Sequence, residues 1–461
     1  MLRLLLTCRP ILLVCIVVLA FVPCLAQAGS PAAKPDDAEL KFVVILSRHG
    51  VRSPTDDPGK YDAYSSAPWP RWSVPPGYLT EHGFELMKLF GAYDRVRLAQ
   101  EGLIAPSGCA DASQVTFVAD SDQRTRESAR ALADGMFPDC QVAVQARPES
   151  EPDPLFHSMR AGVGKPERAL AAAAMEGRIG GDGSNLTSAY RPQLQALDGI
   201  LAGCGRVPVG NAKRTSIFDV RSTHGGGKDD AAKLHGPLAA GSSMAEILLL
   251  EYAEGMKGSD LGWGCLDENK LPELMQLHTA QADYAERTLA IARMDASNLL
   301  EHILAALQQS ATSKPVAGAP GKPGDRALFL VGHDTNIATV AGVLHLNWII
   351  DSRRDDTPPG GALVFELWRS ADGSWSVRLY YTAQTLRQMR EGTLLTLASP
   401  PERVPVFVPG CSGPDMSCAL DAFAATVRGA VDPGYVSIGA SERASSPGSS
   451  KTDSVVRQSA Q

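Results

Sequence analysis

Residues 41–55 read KFVVILSRHGVRSPT, and this stretch decides how the rest of the chain is interpreted. The apolar run Phe42–Leu46 is typical of a central strand in a parallel sheet that is covered on both faces. A histidine, His49, follows it between two arginines, Arg48 and Arg52. Arginines bind the oxygens of a phosphoryl group bidentately, and a neutral imidazole can attack phosphorus. The neighbouring positive charges disfavour the imidazolium, so the segment predicts a nucleophilic histidine in a phosphate site.

Two later segments repeat this design of an apolar run followed by charged residues. Val115–Ala119 leads into Asp-Ser-Asp-Gln-Arg-Thr, which contains Arg124, and Ala327–Val331 leads into Gly-His-Asp-Thr-Asn, which contains His333 and Asp334. In open α/β sheets, ligands bind beyond the carboxyl ends of the strands. The three segments are therefore predicted to converge on one site.

The fold class predicted from these patterns is α/β, with a mostly parallel sheet flanked by helices and an inserted, mainly helical second domain. We expect the α/β catalytic domain in residues 35–155 plus 310–435, with Ala362–Trp368 and Trp375–Thr382 forming a hairpin. Residues 156–309 are rich in alanine and leucine and are predicted to form the helical insert. Its predicted helices are Glu167–Met175, Ala189–Leu201, Ser243–Glu254 and Leu274–Gln308.

The two ends of the chain differ in composition from the rest. Residues 1–28 have a charged start, an apolar stretch and a small-x-small ending, which is typical of a secretory signal peptide. A transmembrane anchor is the alternative, although the apolar stretch is short for a span. Residues 436–461 are rich in serine and poor in apolar side chains, so we expect a disordered tail.

Composition and charge narrow the class of partner. The 461 residues carry a net charge of −7, which argues against a nucleic-acid partner, because such a partner requires a basic surface. Six cysteines follow the predicted signal peptide, and an even number in an exported chain indicates disulfides rather than free thiols. Six cysteines allow 15 pairings, so the sequence by itself leaves the pairing open.

The motif Arg-His-Gly-x-Arg-x-Pro at residues 48–54 resembles the signature of the histidine acid phosphatases, a branch of the histidine phosphatase superfamily (branch 2). In detail the chain is similar to the bacterial periplasmic phytases and acid phosphatases of that family. The resemblance runs from about residue 40 to about residue 428 and implies a phosphoglycerate-mutase-like fold. Its further motifs are Asp-Gln-Arg-Thr at 122–125, Asp-Pro-Leu-Phe at 153–156, Gly-His-Asp-Thr-Asn at 332–336 and Thr-Pro-Pro-Gly-Gly at 357–361.

The resemblance implies a role for each candidate site residue. His49 is the expected nucleophile and Asp334 the expected general acid. The phosphate-binding residues implied are Arg48, Arg52, Arg124 and His333, and the implied pocket residues are Thr55, Asp120, Glu246 and His278. We expect no metal and no cofactor, because the arginines supply the positive charge that a metal would provide.

The function expected from the resemblance is hydrolysis of small-molecule phosphomonoesters, which include phytate as a candidate, by a periplasmic or secreted monomer without membrane attachment after signal cleavage. Two alternatives stay open: a phosphotransferase or mutase of the same superfamily, and a phosphate-ester binding protein without turnover. Phosphate release without an added acceptor would separate the first alternative from hydrolysis, and turnover of a chromogenic phosphomonoester would exclude the second.

The resemblance also implies a set of disulfides, and the chain differs from the phytases that it resembles at two positions. It implies the pairs Cys109–Cys140 and Cys411–Cys418, which leaves Cys204 and Cys265 for a third. The phytases resembled usually carry a lysine at the position of Asp56 and a basic residue at the position of Asp295. Carboxylates in these places should weaken binding of a highly phosphorylated substrate, so a preference for phytate is not implied.

Overall fold

The computed structural model describes residues 38–205, 214–225 and 231–438. The predicted signal peptide at 1–28, and the predicted tail at 436–461 beyond residue 438, lie outside these described residues. Within them, no helix is long and apolar enough to cross a membrane.

The strands, in chain order, are β1 (Glu39–Arg48), β2 (Val115–Ala119), β3 (Val144–Gln145), β4 (Thr223–Gly225), β5 (Lys233–His235), β6 (Ala327–Gly332), β7 (Ile349–Ile350), β8 (Arg353–Arg354), β9 (Ala362–Arg369), β10 (Trp375–Ala383), β11 (Glu402–Val406) and β12 (Ser417–Ala419). The α-helices are α1 (Glu81–Gln100), α2 (Gln123–Met136), α3 (Arg168–Ile179), α4 (Ser184–Ala189), α5 (Arg191–Leu201), α6 (Pro237–Ala253), α7 (Leu271–Ala285), α8 (Leu289–Thr312), α9 (Asp334–Leu344), α10 (Leu386–Glu391) and α11 (Leu420–Ala430).

The central sheet has the order β11-β10-β9-β1-β6-β2-β3, and β12 pairs with β10. Strands β1, β6, β2 and β3 are parallel, whereas β9 is antiparallel to β1 and forms the predicted hairpin with β10. Every residue of β2 and β6 is buried, as expected for strands covered on both faces. The predicted fold class, a mostly parallel sheet flanked by helices, is confirmed.

The strand register explains how distant segments meet. Arg48 at the end of β1 is paired with Gly332 at the end of β6, and Ala119 at the end of β2 is paired with Val331. The three apolar runs are therefore neighbours and end at the same edge of the sheet. The residues that follow each run lie side by side, as the sequence predicts.

Helix α8 differs from its prediction in extent and in packing. The sequence predicts one helix over Leu274–Gln308, but α7 ends at Ala285 and α8 begins at Leu289, after the extended Thr288. The break allows the two helices to pack on different cores. Apolar residues of α7 join a cluster formed by α3, α5 and α6. Ile291 and Met294 in the first two turns of α8 still join this cluster, but the other apolar residues of α8 pack on the strands of the central sheet. We therefore propose that the boundary of the helical domain lies near residue 288 rather than at 309.

The three disulfides of the described residues are Cys109–Cys140, Cys204–Cys265 and Cys411–Cys418, so the pairing implied by the resemblance is confirmed. They close loops with sequence separations of 31, 61 and 7 residues. Cross-links of this kind restrict the unfolded chain, and the longer loops restrict it more.

Candidate active site

His49 follows β1 directly and is fixed by backbone hydrogen bonds to two neighbouring segments. The Arg48 amide donates to the carbonyl oxygen of Gly361 at 2.9 Å, and the His49 amide donates to that of Gly332 at 2.9 Å. Gly50 then turns the chain in a confined space. A Cβ atom there would lie 2.8 Å from the Gly83 carbonyl oxygen, so only glycine fits.

Within the described residues, the imidazole of His49 has one nitrogen in a hydrogen bond and one without a hydrogen-bond partner. Its Nδ1 lies 2.8 Å from the Gly50 carbonyl oxygen, which can only accept, so Nδ1 carries the proton and donates. Nε2 is therefore left unprotonated, with its lone pair available. Burial lowers the pKa of His49 well below its ordinary value, and the positive charges of Arg124, Arg48 and Arg52 lower it further. The ring is therefore neutral in mildly acidic solution.

Arg48 and Arg52 are joined by a carboxylate on α6. The Glu246 carboxylate contacts Arg48 Nη2, and its Oε1 lies 3.0 Å from Arg52 Nη2. Arg48 is fully buried and also donates to the Thr357 carbonyl oxygen at 2.6 Å. Burial alone would raise the pKa of Glu246, but Arg52 and Arg48 outweigh this effect and lower it to about 2. Glu246 thus holds both guanidinium groups in place as an anion.

Arg124 enters the site from the first turn of α2. Its Nη2 lies 2.6 Å from Asp122 Oδ2 and 3.4 Å from Nδ1 of His333. Thr55 lies nearby on an exposed loop, since a Cβ atom at Gly77 would be 3.5 Å from both Thr55 Cγ2 and Arg124 Nη1. The structure therefore brings Arg124 and Thr55 to the same side of the site.

The side chain of Asp120 is buried against His333 and is not exposed to solvent. Its carboxylate is fully buried, and its Oδ2 lies 2.7 Å from Nε2 of His333 and 2.9 Å from Nε2 of His157. Burial would raise the pKa of Asp120, but the hydrogen bonds from His157 and His333 outweigh it and hold the pKa below its ordinary value. The His333 and His49 ring centroids are 5.6 Å apart, so Asp120 orients an imidazole that lies against His49.

Asp334 is the first residue of α9, directly after the His333 N-cap. Its Oδ2 lies 3.2 Å from Arg48 Nη2 and 3.9 Å from His278 Nε2. Burial opposes ionisation, yet the charges of Arg48, His278 and Arg52 hold the pKa of Asp334 below its ordinary value. His278 in turn has its Nδ1 3.3 Å from Ser242 Oγ. All ten residues predicted from the sequence thus gather at one edge of the sheet.

Two site residues were not predicted from the sequence. His157 follows the Asp-Pro-Leu-Phe motif directly, and that adjacency was the available signal. Glu286 lies just after α7. Burial raises its pKa to about 8, and the nearby carboxylates of Asp334, Asp295 and Glu246 add to this effect. A single glutamate near the end of a helix carries no sequence signal that distinguishes it from a solvated one.

Two groups of side chains have the composition of metal ligands. Each of Asp120, Asp122, His157 and His333 has a ligand atom within 4.8 Å of the others, and Glu246, His278 and Asp334 form a second such group. Both groups are already paired with fixed cations, since Arg124 contacts Asp122 and Arg48 contacts Asp334 and Glu246. A metal ion would have to displace or be repelled by these guanidinium groups, so we assign no metal site.

Comparison with known proteins agrees with this geometry. A family model described as "Histidine phosphatase superfamily (branch 2)" matches residues 39–178 and 255–382. Phytase AppA of Escherichia coli is 35% identical over 425 residues, with 89% of this chain and 96% of that protein covered. Glucose-1-phosphatase of Salmonella typhimurium is 28% identical over 405 residues, with 87% and 94% covered. The apo structure of Hafnia alvei phytase superposes with a TM-score of 0.81 at 35% identity, covering 88% of this chain and 100% of that one.

Proposed function

Because the chain belongs to branch 2 of the histidine phosphatase superfamily, we propose that it is an exported phosphatase that hydrolyses small phosphomonoesters through a phosphohistidine intermediate. The observation that carries the proposal is the free Nε2 of a neutral His49 among Arg48, Arg52 and Arg124. The substrates named for its relatives, phytate and glucose 1-phosphate, are candidate substrates.

In the first step, the three arginines and His333 bind the oxygens of the phosphoryl group. The Nε2 atom of His49 attacks phosphorus in line with the ester oxygen, a bond forms between nitrogen and phosphorus, and the bond from phosphorus to the ester oxygen breaks. The developing negative charge is balanced by the guanidinium groups, which are already held in position by Glu246 and the Thr357 carbonyl.

Asp334 protonates the departing oxygen. In the free protein, Arg48, His278 and Arg52 hold its pKa down and keep it ionised. A bound phosphate adds negative charge beside the same cations, which raises the pKa of the carboxyl and lets it carry a proton. After the alcohol leaves, the Asp334 carboxylate accepts a proton from the water that attacks the phosphohistidine, and inorganic phosphate is released.

Export is proposed from the predicted signal peptide together with the three disulfides, since disulfides persist in oxidising compartments.

The simplest test of the function is phosphate release from p-nitrophenyl phosphate at acidic pH without an added acceptor. Transfer that requires an acceptor would favour a phosphotransferase, and binding without release would favour the non-catalytic alternative.

A further inference from the structure

The hydroxyl group of Ser128 joins two parts of the active site, and the mechanism above does not use it. Ser128 lies on α2, one turn after Arg124, and its side chain is fully buried. Its Oγ accepts a hydrogen bond from the Gly50 amide at 2.9 Å and donates one to the Arg124 carbonyl oxygen at 2.6 Å. The loop that follows β1 is thereby tied to the turn of α2 that carries Arg124.

The backbone of Gly50 is important because it orients His49. The Nδ1 atom of His49 donates to the Gly50 carbonyl oxygen at 2.8 Å, so the ring keeps its direction only while residue 50 keeps its own. Packing confines Gly50 from the side of α1, where a Cβ atom would lie 2.8 Å from both the Gly83 carbonyl oxygen and Met87 Cγ. Packing restricts the position of the backbone, and the directional hydrogen bond from the Gly50 amide to Ser128 also restricts its rotation.

The Ser128 hydroxyl is itself fixed in direction and in place. A hydroxyl group has one hydrogen to donate, and here it points to the Arg124 carbonyl oxygen, which leaves the lone pairs for the Gly50 amide. Helix α2 also packs tightly on α1, since a Cβ atom at Gly135 would lie 1.9 Å from the Lys88 carbonyl oxygen. Ser128 therefore holds Gly50 from a rigid support.

This link also relates His49 to the group that holds its target. The Arg124 side chain lies beside His333, with Nη2 3.4 Å from the Nδ1 atom of that ring, and in the proposed mechanism it binds the phosphoryl group. Attack requires a fixed separation between nitrogen and phosphorus, because a displacement of about 1 Å can cost about a hundredfold in rate. Three consecutive hydrogen bonds, which pass through Gly50 and Ser128, connect the His49 ring to the backbone of this arginine.

We propose that Ser128 is a positioning residue, whose hydroxyl holds Gly50 so that Nε2 of His49 points at a phosphoryl group bound by Arg124. The proposal rests on the phosphatase function proposed above and adds a residue that acts through His49. Loss of the hydroxyl should affect kcat more than KM. Helix α2 keeps its own backbone hydrogen bonds and so keeps Arg124 in place, whereas the Gly50 amide loses its acceptor.

The test measures kcat and KM for p-nitrophenyl phosphate, with inorganic phosphate as a competitive inhibitor. We expect Ser128→Ala to lower kcat about ten- to a hundredfold, and to change KM and the inhibition constant of phosphate less than about threefold. Ser128→Thr keeps the hydroxyl and should stay within about threefold of the wild-type kcat. Ser128→Val has the shape of Ser128→Thr without the hydroxyl, so this pair carries the test if Ser128→Ala does not fold.

Ser297→Ala is the matched control. Ser297 is a fully buried serine on α8, and its Oγ accepts a hydrogen bond from the Asp432 amide at 2.9 Å, the same length as the contact at Ser128. Each alanine variant removes the acceptor of one backbone amide, so both should unfold at a lower temperature than the wild type. Only Ser128→Ala should also lose kcat.

A second readout does not depend on turnover. Nitrogen NMR of histidine-labelled protein shows which ring nitrogen carries the proton, and the His49 signals are those absent from His49→Ala. The wild type should show His49 with the proton on Nδ1, and Ser128→Ala should show a mixture of the two tautomers. His49 signals unchanged by Ser128→Ala would overturn the proposal. So would a kcat within about twofold of the wild type in Ser128→Ala and Ser128→Val, or an equal loss of kcat in Ser297→Ala. Failure of the wild type to release phosphate would instead refute the proposed function.

Discussion

The Nδ1 atom of His49 donates a hydrogen bond to the carbonyl oxygen of the next residue, Gly50, at 2.8 Å. This contact within one dipeptide fixes both the tautomer and the ring orientation. The proton sits on Nδ1, so the lone pair of Nε2 is available for attack. Histidine nucleophiles need such a constraint, because the wrong tautomer would present an N–H to the phosphorus atom.

The first prediction concerns this nucleophile. His49→Ala should lower kcat more than about a thousandfold and abolish an acid-labile phosphoenzyme, because the nitrogen that forms the covalent bond is absent. Rapid quenching with labelled substrate and peptide mapping measure the intermediate. His235→Ala, at an exposed position on β5, is the control and should retain the label. A phosphoenzyme that persists in His49→Ala would assign the nucleophile elsewhere.

The second prediction concerns Asp334. Asp334→Asn should reduce kcat for a hexose phosphate at least about tenfold more than for p-nitrophenyl phosphate, because a good leaving group departs without protonation. Steady-state kinetics on the two substrates give the comparison. Equal losses on both would show that Asp334 acts only through its charge and not as the proton donor.

The third prediction concerns the acidic limb of the pH profile. After burial, Arg124 is the charge that lowers the pKa of His49 most. Arg124→Met should therefore raise this pKa and move the acidic limb of kcat/KM to higher pH, in addition to lowering the rate itself. The matched control is Arg126→Met, an exposed arginine on the same helix, which should leave the limb in place. An unshifted limb in Arg124→Met would mean that another group sets it.

The fourth prediction concerns stability. Burial raises the pKa of Glu251 to about 8, above its ordinary value of 4.5, so the folded state binds a proton that the unfolded state releases. The stability contributed by protonated Glu251 is complete below about pH 4.5 and is lost as the pH rises to about 8. Glu251→Gln should remove this pH dependence. The change in the free energy of unfolding that it causes, relative to the wild type, should be more favourable at pH 8 than at pH 4 by on the order of a few kcal/mol. Urea unfolding at the two pH values measures the difference, and an equal effect at both would contradict the prediction.

The fifth prediction concerns Asp56, which lines a cavity of about 370 Å³ beside Ser53. Its carboxylate pairs with Lys60 at 2.8 Å and accepts a hydrogen bond from Tyr61 at 2.8 Å, so part of its charge is already balanced. Asp56→Lys should lower KM for phytate about two- to fivefold at low salt, with little change for an aryl phosphate, and the effect should shrink as salt rises. An unchanged KM at low salt would show that residue 56 does not face the substrate.

The sequence by itself determined the sheet and the residues at its edge. Apolar runs ending in charged motifs are local patterns, and parallel strands necessarily bring their carboxyl ends together, so His49, Arg124 and His333 could be assigned to one site before any coordinates. Only the tertiary structure decided which residues far apart in the sequence contact one another. Glu246 bridges Arg48 and Arg52 from almost 200 residues away, and His157 and His333 share one oxygen of Asp120. The packing of α8 on the sheet and the burial of Glu286 beside Asp334 were likewise decided only by the tertiary structure. The hydrophobic periodicity of a sequence indicates which face of a helix is apolar. It does not indicate which element packs against that face or which charged groups lie near it.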